Sequence, residues 1–543
     1  VSNSRRIDIG FVLLMLTFCV YACIFIWRTS FVIGGERYFS LFDDAMISMR
    51  YAKHLAAGHG LVWNVGEGRV EGFTNLLWTL YMALLHLLPV ALSKTSVLVQ
   101  ISSAVFLLLN LAIVRKLAGL VSGGSGFVKF SAVFVTAFYL PLNGWSLQGM
   151  EVGLLALVVS LAVLVAARSL RADKFSLWPY LLLAVGMFVR ADMAVSFLAV
   201  LGFLAAVDGN RRRSHLVWGL LLFGGAVIGQ TAFRSGYYGE VLPNSYYLKL
   251  AGYPFVLRLT RGLYVTLVFI WRMTWVFFLV PFVLLLERRS RSALLLLTVF
   301  LAQLAYSVYV GGDAWESWGG SNRYVSIAMP CFFVLFFCGL ERIGSYVHRM
   351  LANSGLPPGR VTRYGARAKI AILVLSFLGF NAIYGPAAVS EALLLKKTLH
   401  VEDNQKMVER ALVLRDITED DAVIAVVWDG AIPYFSERPI VSILGKNDKR
   451  IARLRMRRVS GPAQLVAFYP GHLKWDYAYS IGKLRPDVVV HLWKARGEAT
   501  RYLYPAYMEL TLSGFTFHLL RGSPQILWDR VWSLASEGSE LGN

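Results

Sequence analysis

Long apolar runs dominate the chain. They fall at 10–33, 73–92, 97–114, 127–142, 149–167, 177–207, 215–233, 262–286, 292–310, 324–341 and 370–388. About 20 apolar residues make a helix of about 30 Å, the thickness of a bilayer's hydrocarbon core. Their recurrence predicts a polytopic membrane protein of mainly α class. Basic residues collect in the turns between runs, at 115–116, 168–174, 211–213, 287–291 and 342–369. The positive-inside rule places such turns in the cytoplasm. One crossing per run puts Arg115 and Lys116 on the wrong side. The conflict disappears if 73–92, which holds Thr74, Asn75, His86 and Pro89, is a hairpin that dips in without crossing. The run 177–207 must then be two short helices broken at Arg190-Ala191-Asp192. This reading expects about eleven spans, with Arg5 and Arg6 inside and both the 34–72 loop and the tail outside.

Beyond 390 the period changes. Stretches 421–428, 440–444, 487–491 and 515–520 read as strands, with helical patterns between them. The expected layout is a transmembrane domain at 1–389 and a small external α/β domain at 390–543.

Composition agrees. Residues are 57% hydrophobic and only 16% charged, against roughly 25% charged in soluble domains, and mean hydropathy is +0.56. The net charge of +21 does not point to nucleic acid, because the basic residues sit in turns and form no continuous basic-aromatic surface. Cys19, Cys23, Cys331 and Cys338 all lie in apolar runs, which argues for packing rather than disulfides or thiolate metal sites. The run 10–33 is too long for a cleavable signal peptide and reads as a retained helix.

Three polar segments face outward in this topology: 43–75, 237–249 and 311–324. The first opens with Asp43 and Asp44. Adjacent carboxylates raise each other's pKa unless a cation intervenes. They either stabilise a helix start by cap and dipole or supply a general base at the membrane face. Lys249, Asp313 and Arg323 lie at span rims, where ionisable groups pair or bind ligand. Asp313 with Arg323 is either an internal salt bridge or a substrate contact. Arg190 and Asp192 are expected to pair, and Glu151 to favour its helix N-terminus. Gly471-His472-Leu473-Lys474 in the tail is either a solvated loop or a contact for an anionic lipid or sugar. No complete ligand set marks a metal site, and a divalent cation on the Asp pair stays an open alternative.

The stretch Phe42-Asp43-Asp44-Ala45-Met46-Ile47-Ser48-Met49-Arg50, with Gly58-His59-Gly60-Leu61-Val62-Trp63-Asn64 and Val70-Glu71-Gly72-Phe73-Thr74-Asn75, resembles the GT-C class of polytopic glycosyltransferases. Within it, the similarity is to the bacterial branch that includes the mycobacterial terminal β-(1→2)-arabinofuranosyltransferase. Later motifs agree: Gly149-Met150-Glu151, Arg190-Ala191-Asp192, Tyr238-Gly239-Glu240-Val241-Leu242-Pro243-Asn244, Gly311-Gly312-Asp313, Asn322-Arg323-Tyr324 and Gly430-Ala431-Ile432-Pro433-Tyr434. The resemblance implies a polyprenyl-phosphate sugar donor, an active site on the external face of the cytoplasmic membrane, and a first-loop aspartate as base. It also implies an envelope glycan or protein as acceptor. Asp44 is the expected base, with Asp43 as partner or substitute. Lys249 and Arg323 are the expected phosphate ligands. Glu71, Asn75, Tyr247, Asp313, His472 and Lys474 are the expected substrate contacts. The tail reads Gly445-Lys446-Asn447-Asp448, and Ala191 stands where Pro is common in the class, so acceptor and sugar stay open. Two other classes compete: a flippase for lipid-linked sugars, which would concentrate ionisable groups at the midplane in repeated halves, and a non-catalytic envelope scaffold acting through its tail.

Overall fold

The computed structural model describes residues 9–540 apart from 287–289, 317–320, 354–356, 383–384, 399 and 459–463. Part of the third polar segment, the 287–289 part of one basic turn, and Arg5 and Arg6 lie outside the described residues. The protein is mainly helical and a multi-pass integral membrane protein. Among the described residues, six helices are long and apolar enough to cross a bilayer: Ile9–Arg28, Leu92–Val121, Val152–Ala172, Gly209–Tyr238, Arg291–Val310 and Met329–Ala352. Two bent pairs raise the count to eight. Gly126–Ala137 with Leu140–Leu147 bends by 48°, and Phe255–Arg272 with Trp275–Leu285 by 101°. The second bend falls where Thr274 takes φ +67°. Leu76–His86, Trp178–Val189 and Ala191–Val207 are apolar but shorter.

The chain forms two compact units. The first gathers 1–28, 100–229 and 258–398, and the second gathers 29–99, 230–257 and 399–543.

The first unit is a helix bundle. Val152–Ala172 packs on Trp178–Val189, and Arg291–Val310 on both Ala194–Val207 and Met329–Ala352. The apolar run 177–207 is interrupted as its Arg-Ala-Asp suggests. Trp178–Val189 ends where Arg190 becomes extended, and one tight turn, Ala191–Met193, leads into the next helix. Arg190 donates to Asp192 at 2.6 Å and to Glu151 at 2.9 Å. Buried charge is tolerated only when paired in this way.

The second unit holds a five-stranded mixed sheet of order β4-β3-β5-β7-β6. Its strands are β3 Ile424–Val426, β4 Ile440–Ser442, β5 Val488–Val489, β6 Tyr507–Leu512 and β7 Phe515–Leu520. β3 runs parallel to β4 and β5, while β7 is antiparallel to β5 and β6. The alternating stretch at 507–512 is a strand absent from the sequence reading. The same unit contains the hairpin β1 Ser30–Ile33 and β2 Glu36–Phe39. The sequence reading carried the first helix to 33, but it stops at Arg28. Gly34 and Gly35 take φ +57° and +82°, the conformation a two-residue hairpin turn demands.

The helix Asp43–Ala56 lies inside this second unit, with residues 45–52 and His54 buried. One apolar core joins Ile47, Tyr51, Trp63 and Phe73 of the first loop to Ile424, Ile440, Val488 and Phe517 of the sheet. Arg50 crosses the same core. Its guanidinium donates to the carbonyls of Trp63 at 2.9 Å and Arg438 at 2.8 Å, to Asn64 Oδ1 at 3.1 Å, and to the Pro433 carbonyl. Removing the donor leaves several buried oxygens unpaired, each costing about 1–3 kcal/mol. Arg50→Met therefore destabilises by about 3 kcal/mol or more. Lys53→Met, which breaks a half-exposed pair with Glu437, costs less than about 1 kcal/mol. Thermal unfolding of the detergent-solubilised variants checks the contrast. Equal shifts would contradict it.

Candidate active site

Asp43 and Asp44 are the first two residues of the helix Asp43–Ala56, and neither caps it; Phe42 holds the cap position without a side-chain bond. Their charge still suits the helix's positive end, as Lys53 and His54 suit its last turn. The pair meets the β3–β4 region of the tail. Asp43 Oδ1 accepts from the Gly430 N–H at 3.0 Å, and its Oδ2 is sealed from solvent with no hydrogen-bond partner. Gly430 is needed there: a Cβ would collide with Asp43. Asp44 Oδ1 accepts from Lys446 Nζ at 2.5 Å, and 14% of the Asp44 side chain stays exposed.

Several bonds fix Lys446. Asn244, from the Leu-Pro-Asn motif, donates to the carbonyls of Gly445 and Lys446, both at 2.9 Å. Gly445 turns the backbone at φ +76°. The next residue, Asn447, accepts from Tyr51 at 2.9 Å and donates to Asp429 at 2.9 Å. Ser442 also donates to Asp429. A Cβ at Gly72 would overlap the Asn447 side chain, so the Glu-Gly-Phe stretch of the first loop depends on a glycine there.

Three carboxylates thus share one buried ammonium. Burial pushes Asp43 up to about 7; Lys446 opposes this, while Asp44 and Asp429 add to it. Burial likewise pushes Asp429 up to about 6 against Ser442, Lys446 and Asn447. For Lys446, burial disfavours the charge, but Asp44, Asp43 and Asp429 outweigh it and the ammonium is held more firmly than usual. Among the described residues no three His, Cys, Asp or Glu side chains are grouped to hold a metal. A divalent cation on the Asp pair would have to share Asp44 with Lys446.

His472 lies close to this cluster. Burial first, then Lys446, pushes it down to about 3, with Asp44 opposing and Lys249 adding to the effect. Its ring sits 6.0 Å from Trp428 and 5.9 Å from Trp493. The Lys249 stem passes Gly471, where a Cβ would sit 3.1 Å from it. The second unit therefore brings Asp43, Asp44, Lys249 and His472 together. Glu71 is engaged by Arg234 at 2.9 and 3.1 Å, although burial still pushes it up to about 7. Asn75 accepts from Ser48 at 2.9 Å and Thr79 at 3.2 Å. The Tyr247 ring lies 4.1 Å from the Arg453 guanidinium.

Two expectations receive a different account. Lys474 gives all three of its N–H bonds to main-chain carbonyls, of Tyr247 at 2.6 Å, Ala251 at 2.7 Å and Ala452 at 2.8 Å. An ammonium has three donors, so Lys474 is a structural clamp rather than a substrate contact. In the first unit, Arg323 grips Asp313 with two bonds of 2.7 and 2.9 Å, and its guanidinium lies over Trp145. The salt-bridge alternative is the one realised, and a phosphate would compete with it. Lys446, Asp429 and Gly430 were not singled out from sequence as site residues. Their signals were the Asp429-Gly430 and Gly445-Lys446-Asn447 stretches, polar residues following buried strands.

Asp43 is more basic in the folded chain than in the unfolded one. Its contribution is therefore neutral below about pH 4 and turns unfavourable as pH rises toward 7. Asp43→Asn should raise the unfolding midpoint at pH 8, and the gain should shrink as pH falls toward 4. Scanning calorimetry or dye-based melts across that range check it. A pH-independent difference would refute it.

A family model described as "Domain of unknown function (DUF8728)" matches residues 397–534. The terminal beta-(1->2)-arabinofuranosyltransferase of Mycobacterium tuberculosis is 29% identical over 219 residues, which is 37% of this chain and 34% of that protein. The match thus spans about a third of that relative's length. The crystal structure of ArnT from Cupriavidus metallidurans bound to undecaprenyl phosphate aligns over 95% of this chain and 99% of its own, with TM-score 0.54 and 12% identity. The apo form of the same protein aligns over 94% and 97%, with TM-score 0.54 and 12% identity. Spans, tail sheet and whole-chain alignment agree: the chain has the GT-C membrane glycosyltransferase fold and is a distant homologue of the mycobacterial terminal arabinofuranosyltransferase.

Proposed function

We propose that this protein transfers a sugar from a polyprenyl-phosphate donor to an acceptor of the cell envelope, at the external face of the cytoplasmic membrane. The observation that carries the reading is the Asp43–Asp44 pair on a helix N-terminus, bound to Lys446 of the tail inside a GT-C fold. The partial likeness to the mycobacterial enzyme makes D-arabinofuranose the sugar of choice. The acceptor is an envelope glycan or protein.

Asp44 is the base. It keeps solvent access, whereas one oxygen of Asp43 is sealed and the other is tied to Gly430. The acceptor hydroxyl attacks the anomeric carbon as its proton passes to Asp44. The bond from that carbon to the phosphate oxygen breaks, and the phosphate leaves on its lipid. Lys446 orients Asp44. Lys249 is the cation proposed for the departing phosphate, where a fixed charge in a dry site stabilises the transition state. Glu71, Asn75, Tyr247 and His472 are proposed as the polar surround of the sugar, with Asp43 setting the proton balance. Arg323 can reach a phosphate only by loosening Asp313.

For topology, we take the six long helices and two bent pairs as eight crossings and add Trp178–Val189, Ala191–Val207 and Pro358–Asn381, which fall short in length or apolar character, to reach about eleven. Leu76–His86 is 11 residues long, barely shorter than Trp178–Val189 at 12, so its reading as a hairpin that does not cross rests on keeping Arg115 and Lys116 inside. A flippase would instead place its charges at mid-membrane for passage. The Asp-pair cluster, lying between the first-loop helix and the polar turns that follow β3 and β4, favours chemistry.

The test uses purified protein, labelled polyprenyl-phosphoarabinofuranose and a panel of envelope acceptors. Product should form, and Asp44→Asn should lower the rate by about 100-fold or more, the range for loss of a general base, while the protein stays folded. Near-normal transfer by folded Asp44→Asn would remove Asp44 as the base. Lipid movement across vesicles without product would favour the flippase.

A further inference from the structure

A cavity of about 700 Å³ opens in the tail, and none of its lining residues belongs to the carboxylate–lysine cluster. That volume lies in the range of small-ligand sites. One wall is the β6–β7 hairpin. Another is the helix Arg496–Ala506, and Arg410 enters from the helix Val401–Ile417.

Its charge is lopsided. Arg410, Arg496 and Arg521 all line it, while the carboxylate on its wall, Glu509, sits 3.6 Å from His518. Arg410 is stacked 4.7 Å from the Phe515 ring centroid, which holds its guanidinium plane in place. Arg521 is anchored by a 3.3 Å bond to the Tyr507 carbonyl. Fixed guanidinium forks suit carboxylate and phosphate oxygens. The lining is aromatic as well. Tyr504 is 83% exposed, an open ring face on which the apolar side of a sugar ring can stack.

His491 also lines the cavity; burial, then Arg410, pushes it down to about 3, so it is neutral at pH 7 and the positive charge of the site belongs to the arginines.

We propose that this cavity binds an acidic saccharide, a uronic acid or sugar phosphate, with the acid group on the arginines and the ring against Tyr504. The site is a glycan-holding surface apart from the carboxylate–lysine cluster, and the inference does not rest on the transfer reading.

The experiment measures binding to the full chain in detergent by calorimetry. The probes are trigalacturonate, glucose 1-phosphate, maltotriose, inorganic phosphate and triglutamate. At least one of the two acidic saccharides should bind more tightly than all three controls. Arg410→Gln with Arg496→Gln should weaken it at least tenfold and Tyr504→Ala at least threefold, with unchanged unfolding midpoints. Maltotriose binding equally well would remove the acid from the proposal. Inorganic phosphate or triglutamate binding equally well would remove the sugar. No binding of either acidic saccharide at millimolar concentration would overturn it outright. The readout needs no catalysis, and transfer to a small neutral acceptor should be unaffected by these three substitutions. The binding claim and the enzymatic claim therefore fail separately.

Discussion

A guanidinium cannot be buried without acceptors on every side, and Arg50 finds its acceptors only by bringing two distant pieces of chain together. Trp63 and Asn64 come from the first loop, and Pro433 and Arg438 from the tail. The loop and the sheet must therefore fold as one body. Their apolar residues follow, as Ile47, Tyr51 and Trp63 pack with Ile424, Ile440 and Val488. That joint core sets Gly430 beside Asp43 and Lys446 beside Asp44. The candidate active site is a consequence of how Arg50 is satisfied.

The two units treat buried charge differently. In the first, three buried arginines meet carboxylates: Arg190 meets Glu151 and Asp192, Arg323 meets Asp313, and Arg261 meets Glu316. These pairs complete themselves and anchor the helix break and the rim loop. In the second, Asp43, Asp44 and Asp429 share Lys446, so negative charge exceeds positive. Burial then raises Asp43 and Asp429 toward neutrality. Perturbed carboxyls of this kind, sharing one cation, suit proton transfer, whereas Arg190 and Arg323 of the first unit are matched one to one or better by carboxylates.

Some of this was readable from short-range pattern. The recurring apolar runs predicted a polytopic helical protein. Arg190-Ala191-Asp192 inside a continuous apolar run predicted a break, because a buried charge needs the chain to bend so that a partner can reach it. Stretches such as 421–428 and 515–520 showed as strands through their β-branched and aromatic content. Asp43 and Asp44 stood out because like charges side by side demand an explanation. Other features were less visible. The β1–β2 hairpin was hidden because Phe31, Val32 and Ile33 continue an apolar run that already reads as a membrane helix, so their strand preference does not stand out. Lys474, read as a ligand contact, turned out to be saturated by carbonyls that no sequence pattern locates.

What the chain's own order of residues determined is what depends on near neighbours: helix period, the break at Arg190-Ala191-Asp192, the strands of the tail, the charge on the first turn of Asp43–Ala56. These interactions act over a few residues, so periodicity and composition report them. Which cation answers the Asp pair is a different kind of question. Lys446 lies about 400 residues from Asp44, and the chain carries 54 lysines and arginines that could have served. Only packing of the tail sheet on the first-loop helix selects one of them. The selection comes from burial and hydrogen-bond satisfaction across the joint core, which have no local signature.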